Sequence, residues 1–150
     1  MKHLKLRKMS EIAFLLSTIL VFSLPVNSLA SNDSRITVTL PQMMQQHMLS
    51  NMRDHLAAIN EILIYLGKDE LEKAAETAEY RLGMSSLESH GASHMSQFMP
   101  EGMRQAGSAM HQAASRFALK AQEGDVLSAY KALSDITSAC VTCHAGYKVK

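Results

Sequence analysis

Both cysteines of the chain fall within five consecutive residues near its C-terminus, Cys140-Val141-Thr142-Cys143-His144. On a helix, residues i and i+3 share a face, so the two sulfurs can reach one edge of a flat ligand. Two thiols at that spacing can add to the two vinyl groups of a porphyrin, each addition forming a thioether. The imidazole at i+4 shares the face and can reach the iron. Competing uses of the pattern fit less well. A zinc site normally needs four ligands, and no second cysteine pair exists. A redox pair needs no following histidine and usually opens a helix in a strand-containing fold. A structural disulfide would not need such tight spacing. The pattern therefore predicts one covalently attached haem c, held by Cys140 and Cys143, with His144 as proximal iron ligand.

Eleven Met and seven His supply the other residues with ligand chemistry. One group, Met48, Met52 and His55, sits on a single helical stripe. A second comprises His90, His94, Met95, Met99, Met103, Met110 and His111. Thioethers and imidazoles suit copper, and His90 and His94 are spaced to share a helix face. Gly91 and Pro100 argue against one continuous face, and a Met-rich haem pocket with surface histidines accounts for the same residues. A member of this cluster capping the iron is a further option. Glu70, Glu72, Glu76 and Glu79 read as a solvated helix face. No phosphate loop, G-x-S-x-G or H-E-x-x-H is present, so no dedicated enzyme active site is expected.

The elements that must position these residues are helical. The first thirty residues read as an export leader, with basic residues to Lys8, an apolar run from Ile12 to Leu24, and Ser28-Leu29-Ala30 before a cleavage point. The run is short for a membrane span. Export to the periplasm is the expectation, with residues 31–150 as one domain and no stable membrane insertion after cleavage. Four of the 15 basic and one of the 14 acidic residues lie before residue 31, leaving a formal charge of −2. That balance, with only four Tyr, four Phe and no Trp, argues against a nucleic-acid partner.

Ser31 to Thr39 reads as an extended lead-in. Met48, Met52, His55, Ile59, Ile62 and Leu66 then repeat at three and four residues, which predicts a helix ending near Gly67. Asp69 and Glu72 suggest a capping box for a second helix, with Leu71, Ala75, Ala78 and Leu82 on one face and Gly83 closing it. Residues 84–99 read as a connection with a short helical turn. Pro100 suits the start of a third helix running to Gln122. Gly124-Asp125 reads as a turn and cap. A fourth helix carries Val126, Tyr130, Leu133, Ile136, Cys140, Cys143 and Tyr147. No strand run stands out. The pattern predicts an all-α chain, an antiparallel four-helix bundle with haem attached near the end of the last helix.

With the leader, the four helices and C-x-x-C-H in the last of them, the chain resembles a class II c-type cytochrome of the cytochrome c-prime family. Cys140, Cys143, His144, Tyr147 and Lys148 match that family's C-x-x-C-H-x-x-aromatic-basic pattern. The resemblance implies a mono-haem protein transferring single electrons between periplasmic redox partner proteins. It makes Met52 the candidate distal iron ligand, one residue from the family's position, with Met48 and His55 as the other candidates on that helix. Arg53 directly follows Met52, whereas family members often carry an Arg one turn before the ligand. The alternative the resemblance implies is an open distal site that binds or sequesters nitric oxide or carbon monoxide. Homodimers through the first two helices are also common in that family.

Overall fold

The structure, a computed structural model, describes residues 33–150; the proposed leader, 1–30, lies outside the described residues. The chain is all-α with a small amount of sheet. In order, β1 spans Ile36–Val38, α1 Gln42–Gly67, α2 Leu71–Arg81, a 3-10 turn Met84–Ser86, α3 Ala92–Ser96, α4 Glu101–Gln122, α5 Val126–Gly146 and β2 Tyr147–Val149. Among the described residues no helix is long and apolar enough to cross a membrane.

The helix ends follow local chemistry. Pro41 and Pro100 stand at the N-caps of α1 and α4, where a missing N–H costs nothing because those first donors have no intrahelical partner. Asp125 caps α5 by accepting the Leu127 N–H at 3.0 Å, as expected for an aspartate at that position. Its carboxyl is held below the usual range, chiefly by the Ser128 hydroxyl that also donates to it.

Three expectations need correcting. Asp69 is not a cap: it takes a positive φ of 60°, turning the chain between α1 and α2, and Glu70 occupies the N-cap of α2 without a side-chain hydrogen bond. The last helix stops at Gly146, so Tyr147 lies in β2 rather than on α5. The lead-in is also more than extended chain, because β1 pairs in parallel with β2, Ile36 opposite Tyr147 and Val38 opposite Val149. Three-residue strands separated by the whole fold leave no local pattern to read.

Helix α2 packs against α1 and α4, and α4 against α5. The main core lies along these contacts. Phe117, Ile62, Leu82 and Ile136 are fully buried within it, among Ala58, Ala74, Ala78, Ala114 and Ala121. Alanine brings the helix backbones close, and the few large side chains fill the remaining space. A second cluster, Val38, Leu40, Met48, Met95 and Met103, gathers beneath the strand pair, with Cys143, Tyr147 and Val149 packed against it. Gly102 permits this packing, since a Cβ there would run into the Tyr147 hydroxyl. Between α1 and α2, Arg81 bonds Glu61 at 2.7 Å and also holds the Asp54 carboxylate.

Candidate functional site

The methionine-rich cluster borders a cavity of about 350 Å³ between α1, α3, α4 and the end of α5, within the size range of small-molecule sites. Its walls carry Met48, Met52 and His55 from α1, His90 from the turn before α3, Met95 and Met99, Met103, Met110 and His111 from α4, and Cys143 from α5. The lining is therefore apolar and sulfur-rich, with three imidazoles set into it.

The cysteines stand one helical turn apart on α5, both half-buried and both free thiols. Cys140 packs against the main core and Cys143 against the methionine cluster. Burial pushes both thiols up from their usual range, so they are protonated at neutral pH. His144, in the last turn of α5, is exposed and is not among the cavity walls; its carbonyl lies 3.5 Å from an Arg35 guanidinium nitrogen. Of the four residues singled out by the sequence, the fold brings Cys143 and Met52 to one cavity. Met52 is 36% exposed at the rim, whereas Met48 and His55 on the same stripe are buried.

Three histidines from separate segments meet in the fold, a juxtaposition that no local pattern announces. The ring centres of His55 and His90 lie 4.8 Å apart, His90 and His111 5.4 Å, and His55 and His111 6.1 Å. All three are buried. The αL conformation at Gly91 (φ 62°) turns the chain into α3 just after His90, a conformation glycine adopts without steric cost. Asn51 on α1 ties this turn down by donating to the His90 carbonyl at 3.0 Å. His94, spaced to share a helix face with His90, is exposed and absent from the cavity wall, so the two histidines do not line it together. The one available sequence signal was that His55 lies on the buried stripe of α1.

Hydrogen bonds fix two of the tautomers. His111 Nδ1 lies 2.6 Å from the Leu82 carbonyl; a carbonyl only accepts, so Nδ1 carries the proton. Ser86 Oγ gives its one proton to the Gly83 carbonyl at 2.7 Å, so its 3.3 Å contact with His90 Nδ1 has the histidine as donor. Both rings in their neutral form therefore leave Nε2 as a free lone pair. His55 Nε2 is buried with no hydrogen-bond partner. Burial lowers all three away from the charged form, and for His55 the neighbouring His90 and His111 add to it, bringing it to about 4. The rings are thus neutral at pH 7. Among the described residues, no group of three or more His, Cys, Asp or Glu could hold a metal ion.

No family model matches the chain, and neither a curated protein nor a solved structure matches it.

Proposed function

We propose that the protein is an exported, periplasmic mono-haem c-type cytochrome of four-helix-bundle type, and that it transfers single electrons. The observation that carries this reading is the Cys140-x-x-Cys143-His144 sequence on α5, with Cys143 opening onto an apolar cavity. The thiols are free and one helical turn apart, and the cavity that Cys143 borders carries thioether and imidazole donors. Cys140 packs on the main core and His144 stands exposed outside the cavity, so both would have to turn towards the group to hold it.

In this reading Cys140 and Cys143 would hold the haem through thioether links, each made by adding an S–H across a vinyl group with no net oxidation. His144 would be the proximal ligand, and Met52 is the candidate distal ligand. The bound haem supplies a ferrous/ferric couple. The chain's own contribution would be to hold the group through Cys140 and Cys143 and to present methionine side chains to it. Excluding water and supplying a soft neutral ligand such as a thioether raise the potential of such a centre.

The test is production of the full chain in a host competent for cytochrome c maturation. A haem spectrum that stays with the polypeptide under denaturing conditions is expected, and it should be lost in the Cys140→Ala/Cys143→Ala double variant. Colourless protein with both thiols free or joined to each other would overturn the reading. Loss of a low-spin ferric spectrum in Met52→Ala supports the electron carrier. A high-spin spectrum in the unaltered protein, with rapid uptake of carbon monoxide on reduction, selects gas binding at an open distal site instead.

A further inference from the structure

We propose that Arg104 is the group that receives a carboxylate at the mouth of the methionine-lined cavity. That the ligand is the haem, and the carboxylate one of its propionates, rests on the reading given above. The charge on the cavity wall is one-sided. Among the described residues that line it, Arg104 is the one Lys or Arg, and none is Asp or Glu. The three imidazoles of the wall are held neutral by burial. Arg104 is therefore the one fixed charge facing the space, and it is exposed at the rim of α4.

Haem is an apolar disc with vinyl groups on one edge and two ionised propionates on the opposite edge. Burying a carboxylate among thioethers without a partner is costly, so the ring has one economical orientation in such a space. Its apolar edge goes inward, where Cys143 packs against the methionine cluster, and its charged edge stays at the rim with the cation. Ser93 and Ser108, both exposed, add hydroxyls to that rim. Arg53, which directly follows Met52, does not border the cavity. The cation is thus supplied from α4 and not from α1.

The guanidinium is also placed and left available. Its Nη1 donates to the Met99 carbonyl at 2.6 Å, which ties the side chain to the segment between α3 and α4. Arg104 forms no ion pair among the described residues. The acid nearest to it on its own helix, Glu101, accepts from the Gln105 amide at 2.9 Å and is not part of the wall. The remaining N–H groups form a planar fork that matches a carboxylate two bonds at a time. A purely structural role, tethering the Met99 carbonyl, makes a different forecast: loss of Arg104 would weaken the fold without regard to the charge on the ligand.

The test uses the full chain produced in a host without cytochrome c maturation, titrated with mesoporphyrin IX and followed by porphyrin fluorescence. This metal-free porphyrin keeps both propionates but has ethyl groups where haem has vinyls, so it forms no thioether. Arg104→Gln should weaken its binding about fivefold or more, the loss of a charge-assisted pair at a partly shielded site. Arg104→Lys, which keeps the charge but not the fork, should recover part of that loss, and Arg53→Gln should change nothing. The dimethyl ester of the same porphyrin, with its carboxylates masked, should bind the unaltered and Arg104→Gln chains alike. Circular dichroism shows whether a variant has folded; if Arg104→Gln has not, Arg104→Lys carries the acid-against-ester comparison. No binding of mesoporphyrin IX, equal binding by the folded Arg104 variants, or an equal loss for the ester would each overturn the proposal. Failure of the haem reading is separately visible. Colourless protein from a maturation-competent host strikes that reading, whereas covalently pigmented protein whose porphyrin binding ignores Arg104 strikes only this one.

Discussion

His55 is held neutral inside the protein and becomes free to protonate when the chain unfolds, which makes it a source of acid sensitivity. Its folded value is about 4 against an ordinary 6.5. The unfolded chain therefore binds the extra proton first as pH falls. The sign follows from linkage: full stability above about pH 6.5, declining as pH drops towards 4. A shift of this size corresponds to roughly 3 kcal/mol. His90 and His111 act in the same direction, while the carboxylate of Asp54 partly opposes the effect at His55. Asp54 itself is held below 3.8, chiefly by its bond to Arg81, so its loss comes at lower pH. Urea midpoints of metal-free protein should fall clearly between pH 7 and pH 4.5, and His55→Leu should flatten that dependence. An unchanged slope in the variant would show that His55 does not set it.

At the scale of elements, the clearest single tie is Arg81, which joins the last turn of α2 to two carboxylates of α1. The guanidinium is partly exposed, so the bonds are worth less than their number suggests. Arg81→Met should lower unfolding free energy by about 1 kcal/mol at low salt and by less in 0.5 M salt, read from paired denaturant curves. A salt-independent loss would point to packing of the arginine stem instead. The same scale shows what could be read in advance. Pro100, Gln122, Asp125 and the three-and-four spacing of α1 announced their helices because capping and amphipathicity are local. The 60° φ at Asp69 closes a local turn back onto Tyr65 and Leu66, but a positive φ at a residue other than glycine is uncommon and leaves no clear signal. The halt at Gly146 is not legible locally because β2 pairs with β1 more than a hundred residues away. The histidine triad escaped for a similar reason: residues 55, 90 and 111 share no segment, and only the fold of α1 on the turn before α3 and on α4 brings them together.

For the whole molecule, the core depends on few large side chains set among many alanines. Phe117, on α4, is fully buried in the main core. Removing it leaves a space that surrounding alanines cannot fill, so Phe117→Ala should cost about 3–5 kcal/mol. Thermal unfolding of the two proteins measures this, and a drop comparable with that of a surface substitution would mean the helices close over the gap. The strand pair acts at the same scale but differently. Residues 36–38 lie against 147–149, and β2 begins directly after the segment that carries both thiols. This clasp joins segments more than a hundred residues apart, and Val38, Tyr147 and Val149 all pack into the methionine cluster beside it, so that side of the chamber is complete only once the two segments have met.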